Sequence, residues 1–126
     1  MPKTVPHGPG LEPGGLPFSK VVEANGFVFV AGQIGDVPDS HGPVPGGIEP
    51  ETKAMLDNVG RLLGTVGLGY DDVVKCTVYL TDFEEFAAMN AIYREYFPTD
   101  PPVRATVAVG RLALGARIEI EVLAAR

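Results

Sequence analysis

The chain has 126 residues, of which 45% are hydrophobic and 21% charged. These are the proportions of one globular domain with one core, not of a disordered chain or a membrane protein. A net charge of −6 opposes attraction to a phosphate backbone or an anionic bilayer, so neither nucleic acid nor membrane is an expected partner. The single cysteine, Cys76, excludes an intrachain disulfide, and no window approaches the roughly 20 apolar residues of a membrane span. The expected location is the cytoplasm.

Glycine and proline concentrate at the N-terminus and ahead of the first helix. The reading is one domain over 1–126, with a flexible N-terminal segment at 1–17 and a Pro/Gly-rich loop at 35–49. Between them, Lys20-Val21-Val22 and Phe27-Val28-Phe29-Val30-Ala31 flank Asn25-Gly26. Asn-Gly between β-formers predicts a hairpin, because both residues tolerate the positive φ of a type I′ turn. Met55, Leu56, Val59, Leu62, Leu63 and Val66 recur at helical spacing and predict a helix over 50–66, ended by Gly67 with Leu68 folding back. Gly60 and Gly64 have no explanation at this level. From Val73 to Leu80, alternation puts Val74, Cys76, Val78 and Leu80 on one face of a strand. Asp82 caps a second helix whose apolar stripe is Phe83, Phe86, Met89, Tyr93 and Phe97, and Pro98 ends it. Strands at 103–109 and 116–123 complete a β-β-α-β-α-β-β order.

Two helices of this length cover one face of a mixed sheet, which makes the fold class α+β. Several strands, Phe27 to Val30 for example, are apolar on both sides. The uncovered face therefore calls for oligomerisation.

Little of the usual catalytic furniture is present. His7 and His41 stand in Pro/Gly-rich segments without metal-ligand spacing, and no Walker loop, dinucleotide fingerprint or nucleophile elbow occurs. Neither a metal nor a cofactor is expected. Cys76 reads as a buried structural thiol. Asn90 falls within the apolar stripe and needs a hydrogen-bond partner, either a neighbouring loop or a ligand whose site it walls. Strand parity puts Arg104, Thr106 and Ala108 on one face, and Glu119 and Glu121 opposite the inward Ile118 and Ile120. An arginine and a carboxylate could then share one region of surface. Parity does not choose between the two glutamates.

Pro102-Val103-Arg104-Ala105-Thr106-Val107, Gly110-Arg111-Leu112 and Ile118-Glu119-Ile120 resemble the C-terminal signature of the Rid (RidA/YjgF-like) enamine/imine deaminases. Ala31-Gly32-Gln33-Ile34, Gly67-Leu68 leading to Asp71-Asp72-Val73-Val74-Lys75, and Met89-Asn90-Ala91 before Tyr93 extend the likeness over most of the chain. The resemblance implies a chorismate-mutase-like fold and a homotrimer whose sheets form a barrel with intersubunit clefts. It further implies a catalytic pair, Arg104 gripping a substrate carboxylate and Glu119 handling the attacking water. Phe18, Ala31, Gly32, Asn90 and Thr106 would line the pocket. Many members carry tyrosine, serine and cysteine where Phe18, Ala31 and Thr106 stand. The implied function is cofactor-independent hydrolysis of 2-imino acids, the tautomers of 2-aminoacrylate-type enamines, to 2-keto acids and ammonia. The alternative is a keto-acid or amino-acid binding or regulatory module on the same trimeric scaffold. A ribonuclease reading is disfavoured by the acidic charge and the lack of a basic aromatic platform.

Overall fold

The computed structural model describes residues 2–37 and 41–126, so part of the loop assigned to 35–49 lies outside the described residues. Strands β1 (Val21–Ala24) and β2 (Phe27–Ile34) form the expected hairpin. Asn25 and Gly26 take φ of 53° and 79°, the left-handed pair a type I′ turn requires. Helix α1 (Ile48–Thr65) stops where the sequence says it should. Gly67 has φ 78°, and the Leu68 N–H donates to the Leu63 carbonyl at 2.9 Å, closing the last turn as a glycine C-cap does. Then come β3 (Val73–Leu80), α2 (Phe86–Tyr96), β4 (Val103–Ala108) and β5 (Ile118–Ala125). Among the described residues no helix is long and apolar enough to cross a membrane.

The five strands form one mixed sheet in the order β1-β2-β5-β3-β4. All neighbours are antiparallel except β3 and β4, whose parallel pairing needs a crossover that α2 supplies. Both helices lie on one face. There Met55, Leu56, Val59 and Leu63 of α1 and Met89 of α2 pack with Val28, Cys76, Val78, Ile118 and Ile120 of the sheet. The α+β class and the element order are those read from the sequence.

Two details of the predicted pattern change. The β3–β5 register shifts between Val73 and Lys75, so the bulge turns Val74 to the opposite face, where it is exposed, and buries Val73 in its stead. Bulges shift parity in this way because one residue is left out of the ladder. Phe83 belongs to a short 3-10 turn before α2; it is exposed and stacks on Phe86 at 5.1 Å between ring centroids. Gly60 now has a reason: a Cβ there would overlap the Tyr70 ring and hydroxyl, and that hydroxyl donates to the Leu56 carbonyl at 2.7 Å. Nothing in the structure explains Gly64.

Buried polar groups staple the helices to the sheet. The Asn58 amide donates to the carbonyls of Ile34 (3.0 Å) and Asp36 (2.9 Å) and to the Asp36 carboxylate (3.0 Å), fixing the end of β2 against α1. Glu51, only 2% exposed, accepts from the backbone N–H groups of Arg117 (2.6 Å) and Ile118 (3.3 Å), fixing the start of β5. At the N-terminus, Thr4 and Glu23 exchange backbone hydrogen bonds at 2.8 Å, and Leu11 joins the core.

Glu51→Ala would leave two N–H donors without partners in the interior, each costing roughly 1–3 kcal/mol. A fall in the denaturant midpoint on that scale is expected. Burial holds the Glu51 pKa above its ordinary 4.5, so the folded state binds its proton more tightly than the unfolded chain does. Its contribution to stability is therefore full below the unfolded value and falls as pH rises through the raised one. Thermal melts of wild type and Glu51→Gln between roughly pH 4 and 8 should differ in slope, with the glutamine variant flatter.

Candidate active site

The sheet's two faces separate the candidate residues. Arg104 pairs with Cys76, and Cys76 with Val122; partners across a ladder point the same way, so Arg104 stands on the helix-covered face. Glu119 pairs with Tyr79, whose side chain points to the open face. Within one chain, therefore, the arginine and the carboxylate do not share a region of surface. They lie on opposite sides of the sheet, which corrects the juxtaposition that strand parity alone allowed.

On the helix side, the Arg104 guanidinium sits 4.5 Å from the centroid of the Tyr93 ring and 5.5 Å from that of Phe86. No carboxylate pairs with it among the described residues. Asn90, Tyr93, Arg94, Phe97 and Arg104 line a cavity of about 460 Å³ walled by Pro98, Pro101 and Pro102. Asn90 lines this cavity, and its amide makes no hydrogen bond to a loop among the described residues. Thr106 follows Arg104 on the same face, and its hydroxyl is buried without a hydrogen-bond partner, as is that of Tyr93. Cys76 lies beneath; burial pushes its thiol pKa up, which keeps it protonated and fits a structural role.

On the open side, Glu119 lies against the β2 backbone at Gly32. A Cβ at Gly32 would overlap the Glu119 carboxylate, so glycine leaves the carboxylate in this position where any other residue would push it aside. The neighbouring Ala31 N–H donates to the Lys20 carbonyl at 2.9 Å. Gln33, which the sequence reading passed over, folds its amide back onto the carbonyls of Ala31 (3.1 Å) and Gly32 (3.2 Å). Phe18, 52% exposed, and Gly32 line a second cavity of about 460 Å³ whose other wall is Asn58, Arg61, Leu62 and Thr65 of α1, and which Glu119 does not line.

The structure also separates the two glutamates that parity left equivalent. The Tyr79 hydroxyl donates to Glu121 at 2.6 Å, which occupies that carboxylate. Glu119 accepts no such bond, and burial first, then repulsion from Glu121, raises its pKa above 4.5. A carboxyl that takes up protons more readily than usual and is free of partners suits proton transfer. Among the described residues no group of three or more His, Cys, Asp and Glu side chains could hold a metal ion.

The open face carries exposed apolar side chains beside the charged Lys75, Glu119 and Glu121. Phe27, Phe29, Val74, Val103 and Val107 are all exposed, Val103 by 68%. Phe29, Leu123, Lys75 and Val103 form one row across it.

The family model described as Endoribonuclease L-PSP matches residues 12–126. The human protein named 2-iminobutanoate/2-iminopropanoate deaminase is 41% identical over 113 residues, covering 89% of this chain and 82% of its own. Among solved structures, yeast Mmf1 superposes with a TM-score of 0.90 at 35% identity, covering 99% of each chain. The Escherichia coli TdcF structure with bound serine superposes with a TM-score of 0.81 at 33% identity, covering 87% of this chain and 88% of that one.

In an NMR titration the Glu119 carboxyl is expected to titrate above 4.5. Glu121→Gln should lower its midpoint without restoring it fully, because burial is the larger cause. An unshifted midpoint in the wild type would remove the basis for a proton-handling role.

Proposed function

Because the chain belongs to the Endoribonuclease L-PSP family, that of the YjgF and RidA proteins, we propose that it hydrolyses 2-imino acids to 2-keto acids and ammonia. The observation that carries this reading is the pair of incomplete half-sites: an arginine with no carboxylate partner among the described residues and a carboxyl of raised pKa with no hydrogen-bond partner among them. Relatives near 40% identity are named imine deaminases, and the serine in TdcF is itself an amino-acid carboxylate. The endoribonuclease of the family's description is disfavoured by a net charge of −6, since nucleic-acid affinity rests on phosphate neutralisation.

In the proposed assembly, three copies of this single domain close their apolar open faces into a barrel. Each cleft joins Arg104, Asn90 and Thr106 of one chain to Glu119, Gly32, Ala31 and Phe18 of the next. The exposed phenylalanines and valines support such a cover, because a monomer rarely leaves so many large apolar side chains of one sheet face to water. A cytoplasmic setting accords with the single buried thiol.

Arg104 holds the substrate carboxylate through two parallel charge-assisted hydrogen bonds, a geometry lysine cannot supply. With that anchor fixed, the imine carbon faces Glu119. The carboxylate takes a proton from water as the oxygen bonds to carbon and passes that proton to the imine nitrogen, giving a neutral carbinolamine. Glu119 then takes the hydroxyl proton of the carbinolamine and delivers it to nitrogen as the C–N bond breaks, so ammonia leaves and the hydroxyl oxygen becomes the keto oxygen. No redox change occurs, and every step is a proton transfer or an addition–elimination at one carbon. Phe18 contributes an aromatic wall without a hydroxyl, so water orientation falls to Glu119 and the backbone near Gly32.

Arg104→Ala is expected to lower kcat/KM for 2-iminopropanoate by roughly 10²–10⁴-fold, the loss of two charge-assisted bonds. Glu119→Gln should keep KM and lower kcat by roughly 10²–10⁴-fold. Since the two residues come from different chains in the proposed cleft, unfolding and refolding the two inactive variants together should restore about a quarter of wild-type activity by random assembly. No recovery in hybrids of confirmed trimeric size would overturn the intersubunit site.

A further inference from the structure

Arg104 is held differently from other arginines of the chain. Arg117 pairs with the Glu85 carboxylate at 3.2 Å, Arg126 pairs with Glu23, and Arg61 donates to the Asn58 amide oxygen at 2.7 Å. Each of these anchors consumes guanidinium N–H groups. The Arg104 guanidinium instead lies over the Tyr93 ring at 4.5 Å, with Phe86 at 5.5 Å. Attraction to a ring face is electrostatic and needs no hydrogen-bond acceptor, so it fixes the cation and leaves its donors available.

The ring that does this is itself packed in the core. Tyr93 is 6% exposed, and its ring packs against Phe97 with centroids 4.8 Å apart. Its hydroxyl, buried beside Cys76 and the Arg104 guanidinium, makes no hydrogen bond of good geometry to either, so the ring face is the firmer contact with Arg104.

We propose that Tyr93 is the positioning residue for Arg104, its ring face holding the guanidinium at the cleft wall with N–H groups free for the substrate carboxylate; this deepens, and rests on, the imine-hydrolysis reading. A carboxylate in its place would position the arginine equally well but would compete with the substrate for the same donors. Tyr93 touches no reacting atom, and its contribution is to carboxylate affinity.

The test compares Tyr93→Phe, which keeps the ring, with Tyr93→Met, which fills the buried volume without one. KM and kcat for 2-iminopropanoate and the Kd for pyruvate, followed by NMR, are measured on each. Tyr93→Phe should stay within about twofold of wild type throughout, whereas Tyr93→Met should raise KM and Kd about tenfold and leave kcat within about threefold. A merely structural defect would reduce the active fraction, and so kcat, without moving KM. Should Tyr93→Met fail to fold, Tyr93→Leu carries the same expectation. Unchanged KM and Kd in the ringless variant, or an equal loss in Tyr93→Phe, would overturn the proposal. If the wild type hydrolyses no imine, the functional reading fails, yet weaker pyruvate binding in Tyr93→Met alone would still uphold the positioning role. A wild type that neither hydrolyses an imine nor binds pyruvate would overturn both.

Discussion

The alternation of side chains across a β-strand is the constraint on which the site depends. Arg104 and Glu119 stand on adjoining segments of one sheet, but their parities differ, and no rotamer carries either side chain through the sheet to the other. One folded chain therefore holds two half-sites that cannot meet. It also holds an uncovered face bearing Phe27, Phe29, Val103 and Val107. Under the proposed assembly both deficits have one remedy, since the contact that removes the apolar face from water also brings the arginine of one copy to the carboxyl of another. Folding energy and catalytic geometry are then coupled, and a change that loosens the interface acts on the site without touching it.

The half-site around Glu119 is built from steric and polar constraints placed on the backbone. Gly32 lacks the Cβ that would collide with the carboxylate. Asn58 pins the chain just beyond it through the carbonyls of Ile34 and Asp36, and Glu51 pins β5 just before Glu119 through two N–H groups. The strands that bring Gly32 and Glu119 together are thus each tied to the same helix by a buried polar side chain. Such ties hold direction as well as energy, because a hydrogen bond to the backbone specifies a register that apolar packing alone leaves soft.

Much of the scaffold was legible because its signals are local. Asn25-Gly26, Gly67 and Pro98 act within a few residues, and the alternation of β5 survives intact. Val74 was misassigned because a bulge is a property of the pairing between β3 and β5, and β3 alone carries no trace of it. Gly60, Gly32, Glu51 and Asn58 have roles that depend on residues far along the chain: Tyr70, Glu119, Arg117 and Ile34. A lone glycine or glutamate in a helix pattern gives no hint of such a partner. The pairing of Arg104 with Glu119 comes from a family resemblance, whereas parity within each strand cannot say which face of the sheet the helices cover and so left the arginine and a carboxylate free to share one surface. The choice between Glu119 and Glu121 needed the Tyr79 hydroxyl, which approaches from another strand.

Electrostatics closes the account of how an acidic chain can hold an anion. A net charge of −6 repels carboxylates at long range, but that field is screened within about 10 Å at moderate ionic strength. At contact distance the local arrangement decides. Arg104 has no carboxylate partner, and the surfaces beside it are aromatic rings and prolines, which neither neutralise the cation nor hydrate it as water would. A carboxylate entering that cavity meets an uncompensated charge in a medium of reduced dielectric, where the attraction is several-fold stronger than in bulk water. The opposite side of the proposed cleft carries an acid whose negative form is disfavoured by burial. Repulsion between it and the bound anion is smaller for that reason, and the same burial that makes Glu119 a usable base makes it a tolerable neighbour.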